Sequence, residues 1–322
     1  MVSSSSTGTE IEHRLAEYDD NAEYDDDLEL RLNQIGKIFD IPRILNEPRG
    51  KPKIINYYEN INFFYRAHSW EGFFHYGMSY DGKNKRDDFK EQARIVERYI
   101  HDIDAKKVLE LASGLGPNMA FLARRNPYVT FEGVDLSLKP LKRYAKIPNA
   151  HFQLGDYHDL SDFANNAYDL VFAIDTLCYS NDKLQVLHEV KKKLKRGGLF
   201  IIIDWYQKDR VISLSQSEDI MWKLVEKGFS ADKFESVKNV EGHMQEVYSI
   251  TFAKDVSQCV LPSMLRLESL LRIYFNHPAF AMAVNKLVPF DIVKTAIGEL
   301  FLSTSIKRQI GCYYIHVLKN DK

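Results

Sequence analysis

The sequence predicts an α/β protein in which a doubly wound parallel sheet carries helices on both faces. Three observations predict it. Short apolar strands alternate with amphipathic helices between residues 107 and 204, which is the pattern of a parallel sheet. A glycine turn, Gly114-Leu115-Gly116, follows the first strand, and an acid, Asp135, ends the second. We therefore expect a ligand at the carboxyl ends of the strands.

Each element of this alternation is a short run with its own period. The predicted strands are Lys107–Leu111, Thr130–Val134, Ala150–Leu154, Leu170–Ile174 and Leu199–Asp204. The predicted helices between them are Asn118–Arg125, Leu138–Ala145 and Lys183–Leu194. Two later strand candidates, Glu246–Phe252 and Cys312–Leu318, follow in a less regular part of the chain.

The flanking segments differ from this core in composition. Residues 1–29 carry ten acids against one arginine, which is too polar and self-repelling to pack alone, so we predict an acidic mobile tail. We expect lid helices over residues 30–100, a ligand-binding core over 101–255, and a helical cap with a final core strand over 256–322. Amphipathic cap helices could wall a ligand pocket, dock a second subunit or rest on a membrane surface.

Two helices are predicted in the lid. An apolar pattern indicates a short helix between about Leu30 and Leu45. Asp88 and Glu91 have the spacing of a capping box, and apolar residues at helical intervals continue from there to Ile100. Both helices precede the first strand of the core.

Composition excludes several function classes. Without the tail, whose net charge is −9, the −2 of the whole chain becomes +7 spread over nearly 300 residues, too dilute to predict nucleic-acid binding. Three cysteines without a CxxC pair predict neither a disulfide framework nor a zinc ribbon, and no cluster has metal-ligand spacing. The absence of a signal-peptide pattern or a long apolar run predicts a cytoplasmic protein without a transmembrane segment.

Acids at successive strand ends predict a nucleoside-containing ligand. Gly114 and Gly116 let the backbone approach a ligand closely, although a plain tight turn needs the same residues. Asp135, nineteen residues after Gly116, stands where an acid can accept both ribose hydroxyls. Asp156 and Tyr157 follow the third strand and suit an adenine amino group and a stacked base.

Further motifs extend the pattern along the core. They are Glu110-x-Ala112-x-Gly114-x-Gly116, Asp135, Asp156-Tyr157, the strand Tyr168–Asp175 and Leu194-Lys195-Arg196-Gly197-Gly198-Leu199. Taken together, they resemble the class I S-adenosylmethionine-dependent methyltransferases over about residues 88–205. The resemblance implies a Rossmann-like sheet with an aromatic N-terminal lid and a helical C-terminal cap, and S-adenosyl-L-methionine as the cofactor. A nicotinamide dehydrogenase would favour a third glycine where this chain has Met119.

The resemblance also assigns roles within the cofactor site. It implies that Glu110 organises the glycine loop and the methionine amino group, that Asp135 holds the ribose, and that Ile174 closes the far side of the pocket. Ala112 stands where the family usually has glycine. The implied cofactor-binding residues are Glu110, Ala112, Gly114, Gly116, Asp135, Leu136, Asp156, Tyr157 and Ile174.

An aromatic segment precedes the core. Ten of the 24 residues from Tyr57 to Tyr80 are Phe, Tyr or Trp. This segment, with residues 114–119 and 173–179, resembles sterol C-methyltransferases and, more loosely, tocopherol-type enzymes, although Arg66 stands where the sterol enzymes tend to carry an acid. His75 is our candidate for the catalytic base. The candidate substrate-lining residues are Tyr65, Trp70, Tyr76 and Tyr179.

The leading hypothesis is methylation of a small, mainly apolar molecule, in particular carbon methylation of an isoprenoid-like substrate. Aromatic faces stabilise a carbocation, but the same rings could bind an ammonium group or simply form an apolar pocket wall. N- or O-methylation of a small metabolite is therefore the alternative. A non-catalytic S-adenosylmethionine-binding module is a third hypothesis. A homo-oligomer and peripheral membrane contact both remain open.

Overall fold

A seven-stranded sheet forms the centre of the computed structural model, which describes residues 28–47, 71–136, 142–210, 212–231 and 233–322. Its strands are Lys107–Leu111 (β1), Thr130–Asp135 (β2), Ala150–Leu154 (β3), Tyr168–Ile174 (β4), Leu194–Gln207 (β5), Ser249–Asp255 (β6) and Gly311–Lys319 (β7). The strand order is β3-β2-β1-β4-β5-β7-β6. The first five strands are parallel, and β7 lies antiparallel between β5 and β6. The predicted α/β class is confirmed.

Helices occupy the connections between the strands and extend beyond them. Those in the described residues are Leu28–Gly36 (α1), Ile41–Leu45 (α2), Glu91–Asp102 (α3), Pro117–Arg125 (α4), Lys183–Lys193 (α5), Gln216–Gly228 (α6), Val237–Val247 (α7), Ser257–Phe275 (α8), Pro278–Val284 (α9) and Phe290–Lys307 (α10). Two short 3-10 helices, Arg86–Lys90 and Leu177–Tyr179, are also present. The segment expected as one helix from Leu30 to Leu45 therefore contains two.

The sheet separates two apolar cores, because successive side chains of a strand point to opposite faces. Leu109 and Val171 belong to the core covered by α5 and α7. Val108 and Phe172 belong to the other, larger core, to which α3, α4, α6, α8 and α10 contribute. Helices α8 and α10 therefore pack on one face only, above the half of the sheet that contains β5 and β7. We call α8, α9 and α10 the cap.

Three sequence predictions need correction. Asp88 is not the N-cap of α3: its carboxylate accepts the Lys85 backbone N–H at 2.7 Å and begins the 3-10 helix, and α3 starts at Glu91. The expected strand Glu246–Phe252 begins only at Ser249, because α7 continues to Val247. Of the expected helix Leu138–Ala145, residues 138–141 lie outside the described residues and 142–145 form turns.

A buried arginine fixes α1 to the cap. Arg31 is 7% exposed and lies 3.2 Å from the carboxylate of Glu268 on α8. It also donates to Thr304 Oγ1 at 2.6 Å, and its guanidinium lies 5.2 Å from the ring centre of Phe301, both on α10. A buried charge is tolerated only when it is paired and hydrogen-bonded, so these contacts specify how α1 sits on the cap.

Two glycines bring α6 and α10 into backbone contact. A Cβ added to Gly228 would lie 2.8 Å from the Gly298 Cα and 2.8 Å from the Lys294 carbonyl oxygen, closer than any real side chain allows. The close approach holds the middle of α10 against α6 at Gly298, directly before Glu299. The backbone of α10 therefore has little freedom to shift at Glu299.

Candidate active site

The loop after β1 has three residues in the left-handed region: Ala112, Gly114 and Gly116, with φ of 51°, 55° and 83°. Ser113 N–H donates to the Val134 carbonyl at 3.0 Å, and Gly114 N–H donates to Asp135 Oδ2 at 2.9 Å. The loop is thus folded onto the end of β2. Only Ala112 carries a Cβ in this conformation, which costs roughly 1–2 kcal/mol relative to the right-handed region.

Glu110, on β1, is a buried acid with one oxygen lacking a partner among the described residues. Its Oε1 accepts from Asn118 Nδ2 at 3.2 Å, while its Oε2 is buried and accepts no hydrogen bond from the protein. Burial chiefly, with the charge of Asp135 adding, raises the pKa of Glu110 to about 8. A buried acceptor without a donor is costly, and a cationic ligand group would satisfy it.

His75 is the outer member of the same hydrogen-bond chain. Its Nε2 lies 3.1 Å from Asn118 Oδ1, and its Nδ1 lies 3.2 Å from the Tyr76 carbonyl oxygen. Burial lowers the pKa of His75 to about 4, so the ring is neutral at pH 7, and Nε2–H donates to Asn118. His75 therefore orients the amide that donates to Glu110.

The remaining cofactor-site candidates follow β2, β3 and β4. Asp156 Oδ1 accepts the His158 backbone N–H at 2.9 Å and lies 2.7 Å from His158 Nδ1. Tyr157 is buried in the α5–α7 core, where it stacks on His158 with ring centres 4.7 Å apart. Leu136 is half-buried just after β2, and Ile174 is the last residue of β4. The candidates thus occupy four neighbouring strand ends.

A second group of buried acids, which the sequence analysis did not select, lies at the ends of β4 and β5. Asp204 Oδ2 accepts the backbone N–H groups of Thr176, Leu177 and Cys178, at 3.1, 2.6 and 3.1 Å. Asp204 thereby caps the 3-10 helix that follows β4. Asp175, directly before this turn, has φ of 49° and accepts the Tyr313 hydroxyl at 2.7 Å. Burial, with the nearby Asp204, raises the pKa of Asp175 to about 8.

Aromatic rings connect this acid to another on the cap. The Tyr313 and Trp205 ring centres lie 4.5 Å apart, and those of Trp205 and Tyr76 lie 5.9 Å apart at 80°. The Tyr76 hydroxyl donates to Glu299 Oε2 on α10. Glu299 is 6% exposed, and burial raises its pKa to about 8. We call Tyr76, Asp175, Trp205, Glu299 and Tyr313 the cap-side cluster.

Of the four substrate-lining candidates, Tyr65 and Trp70 lie outside the described residues. Tyr76 belongs to the cap-side cluster, and Tyr179 is half-buried at the end of the 3-10 helix after β4. The position of Asp175, directly after a predicted strand, was a signal that could have found it. Glu299 and Tyr313 lie in a helix and a late strand with no motif around them, so no local signal marked them.

Within the part of the chain that the structure describes, no three His, Cys, Asp or Glu side chains gather as metal ligands would. No described helix has both the length and the apolarity needed to cross a membrane.

Comparison with known proteins identifies the domain. Residues 109–202, from β1 into β5, match the family model described as a methyltransferase domain. A demethylmenaquinone methyltransferase of Thermotoga maritima is 32% identical over 118 residues, which are 36% of this chain and 51% of that protein. A sterol 24-C-methyltransferase of Saccharomyces cerevisiae is 27% identical over 168 residues, 48% of this chain and 42% of that protein. The chain thus spans about half the length of these curated relatives.

Solved structures share most of this architecture at low sequence identity. The cyclase SpnF has a TM-score of 0.65 and 14% identity, with 84% of this chain and 96% of that chain covered. A geranyl diphosphate C-methyltransferase from Streptomyces coelicolor has a TM-score of 0.56 and 16% identity, with 82% and 98% covered. These likenesses concern the fold alone, and the cyclase shows that one fold serves more than one reaction.

The sheet order, the glycine loop and the domain match together define a protein of the class I S-adenosylmethionine-dependent methyltransferase fold. Within that class the chain resembles the sterol C-methyltransferases. Both sequence predictions, of the class and of the resemblance, are confirmed.

Proposed function

We propose that the protein uses S-adenosyl-L-methionine to methylate a small, mainly apolar molecule, and that the reaction is carbon methylation of an isoprenoid-like substrate. The observation that carries the proposal is the cap-side cluster, in which aromatic rings and two protonatable carboxyl groups adjoin the end of β4. The two curated relatives described above are named as a demethylmenaquinone methyltransferase and a sterol 24-C-methyltransferase, which supports the proposal.

The cofactor fits the strand ends beside this cluster. Glu110 Oε2, the buried acceptor without a partner, would take the methionine amino group. Asp135 would accept the ribose hydroxyls, the backbone of Ala112–Gly116 would lie along the ligand, and Asp156, Leu136 and Ile174 would border the adenine. When bound, the sulfonium supplies an electrophilic methyl group.

The cap-side cluster suits a substrate that becomes cationic. An alkene that attacked the cofactor's methyl group would form a new C–C bond from its π electrons, while the bond between sulfur and that methyl group would break and leave its electrons on sulfur. The neighbouring carbon of the alkene would then be a carbocation. The faces of Tyr76, Trp205 and Tyr313 would stabilise this charge, each by roughly 0.5–2 kcal/mol. A carboxylate then removes a proton from an adjacent carbon, and the C–H electrons restore a double bond. Asp175 is the acceptor we propose, because it lies at the end of β4.

Two roles remain for His75. In the geometry described above, the neutral ring donates its single N–H, on Nε2, to Asn118 Oδ1, and we assign His75 the positioning of Asn118 and Glu110. Action as the catalytic base, the sequence-based hypothesis, requires His75 to turn away from Asn118. The pH dependence of variants distinguishes the two roles, as set out in the Discussion.

N-methylation of a small amine is the second candidate. Rings beside buried carboxyl groups bind an ammonium group as well as a carbocation, so the cap-side cluster also favours it. An amine would attack through its free base and needs no carbocation to be stabilised.

Methyl transfer from labelled S-adenosylmethionine to a panel of isoprenoids and amines tests the proposal. We expect label in an isoprenoid, at a carbon located by NMR and stable to acid hydrolysis. Label in an amine would replace the leading reaction with the second candidate. Tight cofactor binding without transfer to any substrate class would instead indicate a non-catalytic binding module.

A further inference from the structure

Six of the eleven large apolar side chains that are exposed in the described residues lie between residues 270 and 290, at the end of α8, along α9 and in the connection to α10. They are Leu270, Ile273, Phe280, Met282, Leu287 and Phe290. Ile273 is 62% and Leu287 86% exposed. Single exposed apolar residues are ordinary, but a concentration of this kind marks an interaction surface. We call residues 269–290 the hairpin tip.

The hairpin tip is folded and not a frayed end. Phe275 and Ala281 are buried on its inner side, at 2% and 0% exposure. Tyr274 holds α9 against α8: its ring centre lies 6.3 Å from that of Phe280, and its hydroxyl donates to Asn285 Oδ1. These buried contacts fix the fold of the hairpin tip, and the exposed apolar side chains lie on its surface.

Charge indicates which partner the surface fits. Residues 269–290 contain Arg272 and Lys286 and no Asp or Glu, and Arg266 is exposed one turn earlier on α8. Arg272 pairs with Glu268, but that acid is buried while Arg272 stays half exposed. Apolar side chains interspersed with basic ones, over residues 269–290 that contain no acid, match the chemistry of an anionic lipid interface.

We propose that the hairpin tip docks the protein on the surface of a bilayer that contains anionic lipids. The exposed apolar side chains insert at the headgroup boundary, while Arg266, Arg272 and Lys286 contact lipid phosphates and carboxylates. Binding is peripheral and weakens with added salt, because screening reduces the basic contribution.

The position of the tip connects it to the cap-side cluster. Phe290 begins α10, and Glu299 lies nine residues later on the same helix, about 13 Å along its axis at about 1.5 Å per residue. If the proposed function is correct, an apolar substrate dissolved in the bilayer would enter beside α10. That consequence rests on the proposed function, whereas the docking itself does not.

Vesicle co-sedimentation of the 322-residue chain tests the docking. The probes are vesicles of phosphatidylcholine alone and of phosphatidylcholine with phosphatidylserine, without cofactor or substrate. We expect binding to the anionic vesicles at low salt, at least tenfold weaker binding of the double variant Ile273→Ser, Leu287→Ser, and weaker binding of wild type at high salt. The matched control is Tyr128→Ser, which removes an exposed side chain next to the amino end of β2, remote from the tip.

Three outcomes would overturn the proposal. They are absence of wild-type binding to anionic vesicles, equal binding of the tip variant and wild type, and an equal loss of vesicle binding in the tip variant and the control. Light scattering measures the oligomeric state and identifies a different occupant. If wild type is a dimer that does not bind vesicles, and the tip variant is a monomer, the surface is a contact between two copies of the chain. Unchanged melting temperatures show that the variants fold. The vesicle assay measures no methyl transfer, so its result tests the docking even if the proposed function is wrong.

Discussion

The two halves of the candidate site differ in how they are built. The cofactor half is centred on the ends of β1 and β2, where residues 110 to 136 depend largely on backbone geometry, as the three left-handed residues of the glycine loop show. The cap-side cluster uses side chains from residues 76, 175, 205, 299 and 313. A local loop leaves a motif in the sequence, whereas a cluster assembled from distant segments does not.

Both halves contain buried carboxyl groups, but with different surroundings. Glu110 receives an amide donor and keeps one oxygen without a partner among the described residues. Asp175 and Glu299 each accept a tyrosine hydroxyl, from Tyr313 and Tyr76. A carboxyl group that an amide holds in one orientation is suited to bind a ligand group that does not change during the reaction. Carboxyl groups that accept tyrosine hydroxyls beside aromatic rings are suited to a group whose charge changes during the reaction. The predictions below test this division.

A large effect is expected on cofactor binding. Asp135→Ala removes both the acceptor for Gly114 N–H and the proposed ribose contact, and we expect affinity for S-adenosylmethionine to fall by about 100-fold or more. Calorimetry measures it. Asp162→Ala, which removes an exposed acid, should bind as wild type. Equal affinities of Asp135→Ala and wild type would remove Asp135 from the cofactor half.

The next effect distinguishes the two candidate bases. Asp175→Asn keeps an acceptor for Tyr313, and asparagine tolerates the left-handed backbone there; we expect kcat to fall about 100- to 10,000-fold with cofactor affinity retained. His75→Gln should cost less than tenfold in kcat, since it acts through Asn118.

The pH profile of kcat tests independently whether Asp175 or His75 is the base. A base must be deprotonated, so the wild-type rate should rise with pH through about 8, the raised pKa of Asp175, or somewhat lower when the cationic cofactor is bound. A rise centred near pH 4 would instead identify His75. In the Asp175→Asn variant the limb near pH 8 should disappear.

Overpacking between α6 and α10 should affect stability rather than chemistry. Gly228→Ala places a methyl group against the backbone of α10, and we expect a loss of about 1–3 kcal/mol in the free energy of unfolding. Denaturant titration measures it. The control is Gly242→Ala in α7, where the added Cβ meets open space, and which should stabilise by up to about 1 kcal/mol. Equal responses of the two variants would contradict the close helix contact.

The buried acids also make stability depend on pH. Because the folded-state pKa of Glu299 is raised from 4.5 to about 8, the folded state binds the proton more tightly than the unfolded state. The stabilisation is complete below about pH 4.5 and is lost as pH rises to 8. As the pH rises from 6 to 8, this group should lower the free energy of unfolding by on the order of 2 kcal/mol. Glu299→Gln should make the melting temperature less dependent on pH in that range, and an unchanged slope would exclude Glu299 as a source.

The smallest effect concerns Ala112. Ala112→Gly relieves the left-handed alanine but adds freedom to the unfolded chain, so we expect a gain of about 1 kcal/mol at most. Thermal unfolding detects it, and Ala123→Gly in the interior of α4 should show the opposite sign. Destabilisation by Ala112→Gly would mean that the alanine side chain contributes packing that outweighs its strain.

Much of the fold follows from local patterns. The strands predicted from Lys107 to Asp204 are all present, and β1 and β3 have the predicted bounds, because buried parallel strands are near-continuous apolar runs between turn residues. The errors fall where neighbouring residues compete. Asp88 and Glu91 have capping-box spacing, but Lys85 provides the cap backbone, and the apolar residues before Ser249 belong to the end of α7.

The sequence by itself determined the order of strands and helices, the glycine loop and the acids that end β1, β2 and β3, because each depends on residues a few positions apart. Only the tertiary structure decided that His75 contacts Asn118, that Glu299 meets Tyr76 across 223 residues, and that the apolar side chains of the hairpin tip remain exposed. Burial, pKa shifts and contacts between distant segments depend on how the cap packs on the sheet, and no local spacing encodes that packing.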